Sequence, residues 1–97
     1  MTTKELETLH IPHDMPTAGP TLWKILHTFA KNNEYDKNWV DYFASKIPCG
    51  SCRMHFSNFT RPARGEDFFK WTVDTHNAVN KRLGKPEMAV SNARMLY

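Results

Sequence analysis

Apolar residues recur at three- and four-residue intervals along most of this chain. Leu22, Trp23, Leu26, Phe29 and Ala30 fall on one face of a helix, which Gly19-Pro20 opens because proline is favoured at the first helical position. Asn32 and Asn33 end that run. Trp39, Val40, Phe43, Ala44 and Ile47 repeat in the same way and predict a second helix over 37–47, stopped by Pro48. A third helix is expected from the Pro48-Cys49 step to about residue 59, with Cys49, Cys52 and Phe56 on a shared face. Beyond the break at Arg61-Pro62-Ala63-Arg64-Gly65, the spacing of Phe69, Val73, His76, Asn80 and Leu83 predicts the longest helix. Gly84 suits its C-terminal stop, Pro86 prevents its return, and Lys81, Arg82 and Lys85 complement the negative end of its dipole. A short last helix over 88–96 completes the pattern.

No strand-length alternation, internal repeat or low-complexity tract interrupts this reading. The expectation is an all-α fold, a four-helix bundle with a short fifth helix, over residues 19–97. Residues 1–18 contain Pro12 and Pro16, are mostly polar and show no clear period, so they predict a flexible or loosely packed arm.

With 97 residues, 40% of them hydrophobic, the chain can build one core and no more. A domain of this size is often strengthened by a ligand, a metal, a disulfide or a partner subunit. The formal charge of +3 is spread along the whole length, which gives no reason to propose nucleic acid. No stretch reaches the roughly 20 apolar residues that span a bilayer, and the N-terminus has no apolar signal core, so a membrane is not an expected partner.

Chemistry concentrates on the two cysteines, Cys49 and Cys52, separated by Gly50 and Ser51. A bridge across so short a loop removes little chain entropy, so stability is a poor reason for it and redox or metal chemistry a better one. At a helix start, the dipole and the free N–H groups stabilise a thiolate, the reactive form. Arg53 follows Cys52, so the Cys-x-x-Cys-His haem attachment is absent, and no βαβ pattern supports a thioredoxin fold. Zinc is the alternative: Cys49, Cys52, His55 and His76 offer two sulfurs and two imidazoles, which would make the chain a zinc-stabilised helical interaction module without redox turnover. Against it, no compact His-x-x-x-His or second cysteine pair completes a familiar ligand spacing.

Three blocks surround the cysteines in order: Gly19-Pro20-x-x-Trp23-x-x-Leu26-His27 upstream, Ile47-Pro48-Cys49-Gly50-Ser51-Cys52 in the middle, and Trp71-x-x-x-x-His76-Asn77-x-Val79-Asn80-Lys81-Arg82-Leu83-Gly84-Lys85-Pro86 downstream. Together they resemble the Erv/ALR sulfhydryl oxidases. The resemblance implies a helical bundle holding FAD non-covalently, usually as a homodimer, that oxidises thiols through Cys49 and Cys52 and reduces O2 to hydrogen peroxide. By position it implies that Gly19, Pro20, Trp23 and His27 line the flavin nucleotide. It likewise implies that His76, Asn77, Val79, Asn80, Lys81, Leu83 and Lys85 hold the rest of the cofactor, with Tyr97 as the aromatic that covers the flavin. The residue chemistry agrees, since a pyrophosphate wants cationic donors and the ring systems want stacking and amide or imidazole hydrogen bonds.

Each of these residues also has a plain structural reading. Trp39, outside the matched blocks, is expected to be core, and the cations near Gly84 could be no more than a solvated helix end. Asn77 and Asn80 are harder to place, because asparagines inside a helix gain nothing unless their amides find partners. The chain departs from the family where a second, shuttle cysteine pair is absent, so electrons are expected to enter Cys49 directly from a thiol substrate protein or a thioredoxin-like donor. Lys31, Asn32 and Asn33 also stand where the family often carries an aromatic. The two-cysteine layout resembles the short oxidases of large DNA viruses, which implies the cytoplasm, or the host cytoplasm and virion, as its setting.

Overall fold

The computed structural model describes all 97 residues, Met1–Tyr97, and is helical throughout. Its elements are α1 (Thr3–Thr8), α2 (Met15–Asn32), α3 (Lys37–Ser45), α4 (Gly50–Ser57), α5 (Phe68–Leu83) and α6 (Val90–Leu96). The all-α expectation holds, and the helices predicted within 37–47, 49–59, 69–83 and 88–96 are all present with ends shifted by a few residues.

The N-terminal segment departs from the expected loose arm. Thr2 Oγ1 accepts from the Glu5 N–H at 3.1 Å while Glu5 Oε1 accepts from the Thr2 N–H at 3.3 Å, a reciprocal cap that starts α1. Six residues are too few to hold a helix in water by themselves. What anchors this one is Leu6, fully buried where α1 packs against α3. A single apolar side chain has no period to detect, which is why the sequence pattern missed it.

The first bundle helix likewise begins earlier than Gly19. Asp14 stands at its N-cap position and Pro16 lies in the first turn, so it is Pro16, not Pro20, that occupies the position proline favours. Pro20 sits inside α2, which at 18 residues is longer than the 16-residue α5 expected to be the longest. Ala18, Leu22, Leu26, Phe29 and Ala30 form the buried face of α2, together with His27.

At the far end of α5, Gly84 adopts φ 73° and ψ 21°, the left-handed geometry that a β-carbon disfavours. This lets the Lys85 N–H reach back to the Asn80 carbonyl at 2.8 Å and closes the helix where the sequence predicted. Its N-terminus is capped by Asp67, whose carboxylate accepts from the Lys70 N–H.

α2 and α5 form the central pair, α6 packs on α5, and α3 packs against α1 and α4. Trp39 lies in the core as expected, stacked on Phe29 at 3.7 Å and on Phe43 at 5.5 Å. Trp71 donates its indole N–H to the Thr60 carbonyl at 2.7 Å, and the Arg61 guanidinium lies over the rings of both Phe56 and Trp71. The irregular segment between α4 and α5 is thereby tied to the core, fixing how the cysteine helix meets α5.

Candidate active site

Cys49 is the N-cap residue of α4, in extended geometry after Pro48, and its Sγ accepts from the Cys52 N–H at 3.3 Å. One of the orphan amides at the helix start is therefore spent on a sulfur, which favours the thiolate over the thiol. Ser51 Oγ lies 3.3 Å from the same sulfur. The Arg53 guanidinium donates to the Ile47 carbonyl at 2.8 Å and braces the turn that carries the pair.

The two thiols are not equivalent. A hydrogen bond from the Cys52 thiol, joined by the Ser51 hydroxyl and the helix-start amide, pulls Cys49 down to about 7. The same Cys49–Cys52 hydrogen bond, with burial, pushes Cys52 up. The first proton lost from the pair therefore leaves its negative charge on Cys49. Cys52 packs against the hydrophobic core, in reach of the Arg82 charge.

Beside this pair, α2 and α5 assemble an aromatic and imidazole cluster. The Trp23 and His76 rings stack at 4.1 Å with planes 5° apart, the His27 and His76 rings lie at 5.1 Å, and Tyr97 comes within 4.8 Å of His27. His27 Nε2 and His76 Nδ1 are 2.8 Å apart, and His27 Nδ1 is 2.9 Å from Thr72 Oγ1. Burial, reinforced by each histidine's cationic or imidazole neighbour (His76 for His27, Lys85 for His76), lowers both to about 4. Both rings are neutral at pH 7.

A cavity of about 160 Å³ opens beside this cluster, lined among others by His27, His76, Asn80, Pro86, Met88 and Tyr97. A second, of about 300 Å³, lies between α4 and α5 and is lined by His55, Asn58, Phe59, Ala78, Val79 and Arg82. Of the residues singled out from sequence, His27, His76, Asn77, Asn80 and Tyr97 meet at the first cavity and Val79 lies at the second. Lys81, Leu83 and Lys85 are exposed at the end of α5.

Trp23 turns its ring to His76 and lines neither cavity, and Gly19 and Pro20 lie further along α2. A β-carbon at Gly19 would meet nothing within 4 Å, so the chain's own packing gives no reason for glycine at a helical position where it costs about 0.5–1 kcal/mol relative to alanine.

Asn77 finds its partner within the protein. Its amide donates to the Met88 carbonyl at 2.7 Å and accepts from the Met88 N–H at 2.8 Å, pinning the segment between α5 and α6. Its side chain thus lines the cavity and also holds the neighbouring Met88 wall in place. Sequence reasoning missed Thr72, Asn58, Phe59 and Arg82 as site residues. Arg82 was legible inside the third motif block, whereas the others depend on how α4 and α5 meet.

The tetrahedral zinc set is not assembled. His76 is bonded to His27 on α2, and no group of three or more His, Cys, Asp or Glu side chains is placed to hold a metal ion.

A cysteine pair at a helix start, its first sulfur biased toward the thiolate and its second set against the core beside an aromatic–histidine cluster, defines a helical dithiol redox protein. The chain belongs to the Erv1 / Alr family, whose model matches residues 20–97. It is 34% identical over 93 residues to the FAD-linked sulfhydryl oxidase of African swine fever virus (isolate Pig/Kenya/KEN-50/1950), covering 81% of this chain and 78% of the viral one. It is 32% identical over 89 residues to the mitochondrial FAD-linked sulfhydryl oxidase of Schizosaccharomyces pombe, covering 75% of this chain and 49% of that one. The corresponding oxidase of Saccharomyces cerevisiae is 27% identical over 90 residues, covering 78% of this chain and 48% of its own. No solved structure matches the chain at comparable significance.

The residues present fit FAD. Neutral imidazoles and aromatic faces suit its ring systems, the Asn80 amide suits their polar edges, and Lys81 and Lys85 suit a pyrophosphate. The two cavities flank α5 at Val79 and Asn80, one toward the cysteine helix and one toward α6.

Proposed function

We propose that this chain is an FAD-dependent thiol oxidase that forms disulfides through Cys49 and Cys52 and uses O2 as the final electron acceptor. The observation that carries this reading is the asymmetry of the two sulfurs at the start of α4, in a chain belonging to the Erv1 / Alr family.

In the oxidised pair, a substrate thiolate attacks Cys49 Sγ; an S–S bond to the substrate forms, the Cys49–Cys52 bond breaks, and Cys52 leaves with the electron pair. A second substrate thiolate attacks the substrate sulfur of the mixed disulfide and expels Cys49. The low pKa of Cys49 makes it a good leaving group, and the Cys52 N–H and Ser51 hydroxyl receive its charge. Cys52, packed toward the interior near Arg82, is the donor to the cofactor. Bound FAD would supply the two-electron, two-proton link between the reduced pair and O2, so that the Cys49–Cys52 bond is restored and O2 is reduced to H2O2.

Gly19, Pro20, Trp23, His27, His76, Asn77, Val79, Asn80, Lys81, Leu83, Lys85 and Tyr97 form the cofactor site in this reading. His27, His76, Asn80 and Tyr97 touch the cofactor across the smaller cavity, and Val79 lines the larger one beside the cysteine helix. Asn77 acts through Met88. The substrate is a thiol-bearing protein or a thioredoxin-like donor, and a second copy of the chain is the expected partner subunit. The likeness to a viral oxidase supports the host cytoplasm or virion as its setting, and no helix is long and apolar enough to cross a membrane.

A visible spectrum of the purified protein, followed by dithiothreitol in an oxygen electrode, tests the reading. The expected result is a flavin band that bleaches with dithiol and recovers as oxygen is consumed. Folded protein that takes up no FAD when offered an excess would overturn it.

A further inference from the structure

Thr72 is fully buried on α5 and stands at the head of a hydrogen-bonded line that ends at the smaller cavity. Its hydroxyl has one proton. Oγ1 lies 2.7 Å from the Phe69 carbonyl and 2.9 Å from His27 Nδ1. The carbonyl has no proton to give, so at that distance the Thr72 proton must lie between Oγ1 and the Phe69 oxygen, or two lone pairs would face each other. The hydroxyl oxygen can then only accept from His27, which fixes a proton on His27 Nδ1. In a neutral imidazole the other nitrogen is bare, so His27 Nε2 accepts across 2.8 Å from His76 Nδ1. That places the single proton of neutral His76 on Nδ1 and leaves its Nε2 as a lone pair. Burial, which pushes both imidazoles well below neutrality, keeps each ring in its single-proton form.

We infer that Thr72 is a positioning residue which, through His27, locks His76 in the Nδ1–H tautomer, so that the cavity offers an acceptor and selects an N–H or O–H donor on the group that binds there. The inference rests on the proposed oxidase reading for the identity of that group, an FAD whose adenine amino group and hydroxyls are such donors. The tautomers themselves follow from the chain alone. Three residues from two helices act as one wire, whose two imidazoles line the cavity while Thr72 stands behind them.

The test combines long-range proton–nitrogen NMR of the histidine rings in the purified protein with the FAD dissociation constant measured by equilibrium dialysis. In the wild type, His27 and His76 are both expected to show a protonated Nδ1 and an unprotonated Nε2. Thr72→Val keeps the branched shape and removes the hydroxyl; it is expected to abolish the single Nδ1–H tautomer and to weaken FAD binding about tenfold, the scale of one hydrogen bond to a buried polar group. Thr72→Ser restores the hydroxyl and is expected to restore both readouts. A wild-type His76 protonated on Nε2 overturns the inference, as does Thr72→Val with unchanged tautomers and unchanged FAD affinity. Should Thr72→Val fail to fold, the wild-type and Thr72→Ser spectra decide by the same criterion. Wild-type protein that binds no FAD overturns the oxidase reading instead, and the ring spectra still judge the relay.

Discussion

The indole of Trp23 and the imidazole of His76 lie face to face, 4.1 Å between centroids and 5° from parallel, and this stack joins α2 to α5 beside the cofactor cavity. Trp23 also approaches Phe56 of the cysteine helix at 6.4 Å, so one half-buried side chain touches three helices. Trp23→Ala is expected to cost about 3 kcal/mol of folding stability, read from the urea midpoint, because it removes a large ring and its stacking. Trp23→Phe should recover most of that loss. A Trp23→Ala midpoint equal to the wild type's would mean the stack contributes nothing.

Cys49 in the reduced protein should alkylate with iodoacetamide at a rate that rises with pH through about 7, where its thiolate forms. Its largest stabilising contact is the Cys52 thiol, so Cys52→Ala is expected to move that inflection up toward the ordinary thiol range. Ser51→Ala should move it in the same direction by less. Rate–pH profiles that coincide in all three proteins would show that the neighbours do not tune the sulfur.

His27 falls from 6.5 to about 4 on folding, so between those values the unfolded chain binds more protons than the native one. Stability therefore rises with pH from about 4 and is complete above about 6.5. For a side chain as buried as His27, the difference is worth on the order of 3 kcal/mol. His76 shifts the same way and adds to the trend. Urea midpoints taken between pH 4 and 7.5 should show this slope in the wild type, and His27→Gln should make it shallower, leaving the His76 contribution.

Leu6→Ala is expected to destabilise the protein by roughly 2–4 kcal/mol, since it empties a fully buried site between α1 and α3. Thr2→Ala, which removes only the cap, should cost about 1 kcal/mol. Denaturant curves for both variants that overlay the wild type would return residues 1–8 to the loose arm that their composition suggests.

Asn77→Ala should free the segment between α5 and α6 by removing both hydrogen bonds to the Met88 backbone. Hydrogen exchange at the Met88 amide is expected to accelerate at least tenfold. FAD affinity should fall with it, because Met88 lines the cavity. Unchanged exchange at Met88 would mean that the segment is held by other contacts.

Much of the fold was legible because α2, α3 and α5 each bury several apolar residues at helical spacing, and because the Gly84–Pro86 stop marks the end of α5 locally. Less legible were features resting on a single contact. α1 rests on Leu6 and a reciprocal cap, and the true start of α2 rests on Pro16, with Pro20 four residues further on inside the helix. The cysteine pair and the three motif blocks were readable in order, including the residues that converge on the smaller cavity.

What the sequence by itself determined is the helical class, the redox-competent cysteine pair at a helix start, and the family to which the chain belongs. Those depend on periodicity, local capping and motif order, all of which act over a few residues. Only the tertiary structure decided that Asn77 spends its amide on Met88, that Trp23 stacks on His76, and that Thr72 stands behind His27. These contacts depend on which groups the packing of α2 against α5, and the return of the chain from α5 to α6, bring together, and no local pattern encodes that choice.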